Sequence, residues 1–205
     1  MSVHESITTI PTDLFSEHAH IIELLCHLGV KKFEVAAFAE SSVKRVIMPG
    51  VEEVMDDSFY GCEEVELVEC GKLENVGRIA FSHCRSLGYI DLPSARIVKE
   101  SAFEYCFNLT DVKFGKYLES IGEKAFSDTA LRRITIPLKN GLFPHDDVFM
   151  GCERSNEVCL IEDEEDALRE TVEGFIFDEW KNDMSKEIDS INQKLPNATA
   201  GVPED

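Results

Sequence analysis

Apolar and polar positions along this chain repeat with a period of about 22 residues. Phe38, Phe59, Phe81, Phe103, Phe126 and Phe149 stand 21, 22, 22, 23 and 23 residues apart, and their surroundings recur with them. Five residues before each of the first five is a large apolar residue: Phe33, Val54, Val76, Val98 or Ile121. Eight before is Val30, Val51, Leu73, Ala95 or Leu118, and three after is a small residue: Ser41, Cys62, Cys84, Cys106, Thr129 or Cys152. Apolar triplets follow, such as Leu87/Ile90/Leu92 and Leu109/Val112/Phe114, and Pro49, Pro93 and Pro137 close three of them.

The last two members of each triplet are two residues apart, which in an extended chain turns both side chains to one face. Each copy is therefore expected to contribute one short strand, stopped where Pro removes a donor or Gly frees the backbone. A 22-residue unit cannot bury its apolar stripe alone, whereas stacked copies share a continuous core and pair their strands in parallel. The phenylalanines should form an internal aromatic stack, each buried ring contributing roughly 1.5–3 kcal/mol. The cysteines three positions later are explained by packing, as small buried hydrophobes, and need no redox role.

The segments LENVGRIAFSHCRSLGYIDLP, from Leu73 to Pro93, and LESIGEKAF, from Leu118 to Phe126, resemble the BspA-like leucine-rich repeats, whose unit reads LxxIxxxAFxxCxxLxxIxLP. The likeness covers about residues 30 to 160, with five consecutive copies in register. It implies a curved right-handed solenoid used for protein binding, often at bacterial or protist surfaces. The start, Met1-Ser2-Val3-His4-Glu5, lacks the basic and apolar blocks of a secretory signal, so a cytoplasmic location is expected instead.

The expected architecture is an α/β repeat: a leucine-rich-repeat solenoid of six or seven copies over residues 30–161 with short parallel strands and capped ends. Residues 1–29 form a cap of one of two kinds. Ile7, Ile10 and Phe15 keep the offsets of a degenerate repeat, while Thr12 could instead start a helix ending at Gly29, with Leu14, Ile21, Ile22, Leu25 and Leu28 on one face. From Glu162 to Leu195 there is no proline, and Leu168, Val172, Ile176, Trp180, Met184, Ile188, Ile191 and Leu195 recur every three or four residues. That pattern predicts an acidic amphipathic helix, suited to covering the last repeat, followed by a disordered tail over 196–205.

Charge narrows the partner class. The 40 acidic and 20 basic residues give a formal net charge of −20, which opposes binding to nucleic acid or anionic membranes. Residues 162–205 carry 14 acids and 4 bases, so half of that charge lies there. The run Glu162 to Asp166 lacks the glycine turn of a calcium loop and reads as a solvated helix start. No run of about 18 apolar residues marks a membrane span.

The motifs of common hydrolases, zinc proteases and nucleotide-binding enzymes are missing, as is any CxxC pair. No cofactor and no catalytic residue is expected. Only His18, His20, Cys26 and His27 bring N and S donors into a short span, at a spacing that fits no standard zinc pattern. A metal-dependent sensor or enzyme built on that group is the alternative to a binding module.

The favoured reading is a monomeric, non-catalytic module that holds a protein partner on the outer strand face. One ladder there is expected to run Arg45, Leu67, Tyr89, Asp111 and Arg133, and the next Ile47, Glu69, Asp91, Lys113 and Thr135. Exposed Ile47, Leu67 and Tyr89 amid Arg45, Asp91, Asp111, Lys113 and Arg133 would give the apolar centre and charged surround of a partner site.

Overall fold

Each copy from Phe15 to Phe126 supplies two strands rather than the single one expected from the triplets. A computed structural model of the chain describes residues 1–137, 139, 141–142, 147–152, 157–161 and 199–200. One two-residue strand precedes each of the six phenylalanine turns from Phe15 to Phe126: β1 (Thr9–Ile10), β3 (Lys32–Phe33), β5 (Glu53–Val54), β7 (Asn75–Val76), β9 (Ile97–Val98) and β11 (Ser120–Ile121). These form a six-stranded sheet in the order β1-β3-β5-β7-β9-β11. The apolar residue five before the phenylalanine sits in this strand, and one residue pointing inward is too short a pattern to read as a strand from sequence.

After the turn comes a longer strand: the triplets predict β4 (Arg45–Ile47), β6 (Leu67–Glu69), β8 (Tyr89–Leu92), β10 (Asp111–Phe114) and β12 (Arg133–Pro137), and the flanking copies add β2 (Glu23–Leu25) and β13 (Glu157–Ile161), which no triplet marked. With β14 (Thr199–Ala200) they form an eight-stranded sheet, ordered β14-β13-β12-β10-β8-β6-β4-β2. Parallel pairing throughout follows from the stacking of identical units, each returning the chain to the same edge.

The core lies between the two sheets and the turns. Phe38, Phe59, Phe81, Phe103 and Phe126 are fully buried, and successive rings stack nearly parallel at centroid distances of 5.4, 5.1, 5.4 and 5.3 Å. Phe15 extends the column at one end, 5.0 Å from Phe38, and Phe149 at the other, 5.9 Å from Phe126.

No helix occurs among the described residues, so the connection across the phenylalanine is a turn and the α part of the expected class is absent there. The backbone shows why. Residues two before the phenylalanine, among them Ala36 (φ 53°), Asp57 (57°) and Ile79 (59°), adopt left-handed conformations. Those two after it, among them Glu40 (57°), Gly61 (67°) and His83 (61°), do the same. Such residues break a right-handed helix and cost roughly 1–2 kcal/mol each when they carry a Cβ. The return is a second hydrogen-bond ladder between copies: Phe38 N–H to Ser58 O, Phe59 to Ala80 and Phe81 to Ala102 are each 2.8 Å. A buried amide left unpaired would cost roughly 1–3 kcal/mol, which offsets the strain.

Residues 1–29 fold as a further copy, with Phe15 on the ring column and Thr9–Ile10 paired to Lys32–Phe33. The helix from Thr12 to Gly29 does not form: residues 12–17 are a turn and Glu23–Leu25 is β2. Pairing with the next copy outweighs the local helical pattern, and Leu14, Ile22 and Leu28 remain exposed. The helix expected over 162–195 lies outside the described residues. Of the tail 196–205, expected to be disordered, Thr199–Ala200 instead forms β14, in register with Glu157–Val158 of β13. The rest of the tail is outside the described residues.

Candidate functional site

The eight-stranded sheet displays the two expected ladders. Inward residues Val46, Val68, Ile90, Val112 and Ile134 are all at most 5 % exposed, so their strand neighbours face out. Arg45 lies opposite Leu67, Tyr89 opposite Asp111, and Asp111 opposite Arg133. In the second ladder Ile47 lies opposite Glu69, Glu69 opposite Asp91, Asp91 opposite Lys113, and Lys113 opposite Thr135. Glu23 and Glu157 lengthen the first ladder at either end, which the sequence reading missed because the flanking copies are worn.

The apolar part of this face is narrower than expected. Tyr89 is 48 % exposed, but Ile47 and Leu67 are half-buried. Arg45 Nη1 pairs with Glu23 Oε1 at 2.9 Å and Arg133 Nη1 with Asp111 Oδ1 at 3.6 Å. Thr110 Oγ1 donates to Asp111 Oδ2 at 2.7 Å. Desolvation, then the charge of Asp91 and a hydrogen bond to it, and the charge of Asp111 raise the Tyr89 hydroxyl above its ordinary value. The Tyr89 hydroxyl therefore stays a donor at neutral pH. The other Asp91 oxygen, Oδ1, is buried and has no hydrogen-bond partner among the described residues.

The cysteine column is better bonded than packing alone requires. The thiols of Cys62, Cys84, Cys106 and Cys152 donate to the carbonyls of Phe38, Phe59, Phe81 and Phe126 in a preceding copy, at 3.0, 3.3, 3.0 and 3.2 Å. Burial pushes the Cys62 thiol up to about 11 and those of Cys26, Cys70 and Cys106 up to about 12. At neutral pH they are protonated and poor nucleophiles.

The N-terminal donors do not converge. His18 Nδ1 lies 3.0 Å from Ser16 O, His27 Nε2 donates to His4 O at 3.0 Å, His20 is exposed and Cys26 is buried. Among the described residues no three His, Cys, Asp or Glu side chains are grouped to hold a metal. A shallow, open groove of about 460 Å³ on the six-stranded sheet is lined in part by Asp56, Arg78, Lys99 and Glu123. Its cations are already engaged, Lys99 with Asp56 at 3.7 Å and Arg78 with Asp57 at 3.8 Å. Sequence reasoning also missed a row of aromatic rings on the phenylalanine turns, because those positions vary from copy to copy and only the left-handed backbone aligns them.

Comparison with known proteins agrees with this geometry. The family model of the BspA type leucine-rich-repeat region matches residues 1–66 and 31–156 in six copies. A leucine-rich repeat protein from Bacteroides ovatus superposes with a TM-score of 0.62 at 23% identity, over 78% of this chain and 48% of its own. A leucine rich cell surface protein from Faecalibacterium prausnitzii reaches a TM-score of 0.43 at 17% identity, over 77% of this chain and 52% of its own. The chain thus spans about half the length of these solved relatives. No curated protein sequence matches.

Proposed function

Because this chain belongs to the BspA-type leucine-rich-repeat family, we propose that it is a non-catalytic module that holds a protein partner on its eight-stranded sheet, centred on Tyr89. Repeats of this family generally serve protein interaction. The observation that carries the reading is Tyr89 itself: an exposed ring on a ladder fixed by backbone pairing, beside Asp91 and the Asp111–Arg133 pair. A rigid amphipathic anchor amid positioned charges is the usual anatomy of an interface centre. Arg45, Ile47, Leu67 and Lys113 would form the surround. The net charge of −20 favours a protein carrying basic groups over nucleic acid or an anionic membrane.

The test starts with a partner captured from cells on the full chain and confirmed with purified components. Tyr89→Ala should weaken that complex by about 2 kcal/mol, near 30-fold, while leaving the melting temperature almost unchanged. Unaltered affinity in a chain carrying Tyr89→Ala, Asp111→Ala and Arg133→Ala together would place the partner on another face.

A further inference from the structure

The turns bearing the phenylalanines carry a row of side chains that the core does not require. Two residues after the phenylalanine stand Glu40, Gly61, His83, Tyr105 and Asp128, in neighbouring copies and all left-handed, at φ 57°, 67°, 61°, 61° and 53°. Glycine is at ease in that backbone and aspartate and histidine are enriched in it, whereas a bulky side chain such as that of Tyr105 is strained in it. Tyr105 is held there nonetheless, and the core beneath is already filled by Phe81 and Phe103, both fully buried. Strain retained at a position where the fold accepts glycine points to a use on the outside.

That outside is one continuous strip. Tyr60 and His83 have ring centroids 5.4 Å apart, His83 and Tyr105 4.7 Å, and Tyr105 and Phe107 6.0 Å, all inclined rather than stacked. Phe107 is 50 % exposed and the other three rings are half-buried. The guanidinium of Arg85 sits over Phe107, 5.8 Å from the ring centroid, so the strip already receives a cation of this chain on an aromatic face. Acids border it: Glu40 and Asp128 occupy the same ladder one copy beyond Gly61 and Tyr105, and Glu104 adjoins Tyr105 in sequence. Glu40 and Glu104 have no ion pair among the described residues, where Glu63 is paired with Arg85 at 3.4 Å.

We propose that this strip, Tyr60, His83, Tyr105 and Phe107 with its acidic border, is a second binding surface, which takes an extended arginine-rich segment of a partner protein. Guanidinium planes stack on aromatic faces and pair with carboxylates, and they lose less hydration in doing so than ammonium groups. Four copy-to-copy steps of about 4.8 Å separate Glu40 from Asp128, so the strip matches about six residues of extended chain. It lies on the turns, away from the Tyr89 face, and stands or falls independently of that site.

Hexa-arginine is the probe, titrated into the full chain at physiological ionic strength with the aromatic proton resonances as readout, and hexa-lysine and hexa-glutamate as comparisons. The rings of Tyr60, Tyr105 and Phe107 should shift with hexa-arginine, more weakly with hexa-lysine and not with hexa-glutamate. Phe107→Ala and the pair Tyr105→Gly/His83→Gly should each weaken binding at least tenfold, and Tyr89→Ala should not. The glycine pair should melt no lower than the parent chain. Equal binding of hexa-arginine to parent and variants would show diffuse attraction to an acidic protein and overturn the proposal. A glycine pair that melts well below the parent would overturn it too, since the rings would then be structural.

Discussion

Phe15 and Phe81 occupy the same place in the repeat, yet their surroundings differ. Phe81 is fully buried between Phe59 and Phe103, at 5.1 and 5.4 Å, whereas Phe15 is half-buried and stacks on Phe38. Around Phe15, Leu14, Ile22 and Leu28 are 46 %, 53 % and 64 % exposed. The corresponding strand residues also differ: β8 pairs on both sides, while β2 pairs with β4 and with the short Met1–Val3 segment through Leu25. Burial in a stack is a property of two neighbours, so the same residue type in the same register contributes less in the first copy than in the middle.

The comparison predicts its largest effect at the rings. Phe81→Ala should destabilise by about 3–5 kcal/mol, since it removes a buried aromatic side chain and leaves a cavity closed in by both neighbours. Phe15→Ala, at a half-exposed site that can relax, should cost roughly half as much. Urea denaturation of the two variants measures both, and equal losses would mean that the first copy is packed as well as the middle.

A smaller effect separates the two regions at the position three after the ring, Cys106 in the middle and His18 in the first copy. Burial raises Cys106 to about 12 in the folded chain, above the ordinary thiol value of 9.0. The folded state therefore holds its proton more tightly than the unfolded chain. That contribution is complete below pH 9 and is lost as pH rises toward 12, at about 1.4 kcal/mol per pH unit for each such thiol. Cys106→Ala should flatten the fall in stability between pH 9 and 11 by that amount. Chemical denaturation at several alkaline pH values reads the slope directly.

The smallest effect concerns backbone strain. Ile79 is β-branched at φ 59°, where the first copy has Asp13 at φ 53°. Asn tolerates this region far better, so Ile79→Asn should raise stability by about 0.5–1 kcal/mol, whereas Asp13→Asn should change it by less than about 0.3 kcal/mol. A loss at position 79 would show that the isoleucine side chain contributes more by packing than its backbone strain removes.

Much of this was legible in the residues. The spacing of Phe38, Phe59, Phe81, Phe103, Phe126 and Phe149 implied a shared column, because only a repeated structural unit keeps one residue at one interval, and the triplets located β4, β6, β8, β10 and β12. The Tyr89–Asp111–Arg133 ladder followed, since strand alternation and copy register together fix which residues align. Those inferences rest on periodicity, which survives in a linear string.

What periodicity omits, only the tertiary structure decided. The second strand in each copy is two residues long, held by pairing between copies rather than by any local pattern, and Thr9–Ile10 forms it even though the following residues read as a helix. The half-burial of Ile47 and Leu67, the thiol bonds to phenylalanine carbonyls one copy away and the row from Tyr60 to Phe107 arise from contacts about 20 residues apart in sequence. The same applies to the left-handed backbone at Ile79 and Tyr105: these residues disfavour it on their own, and the ladder formed with the next copy imposes it.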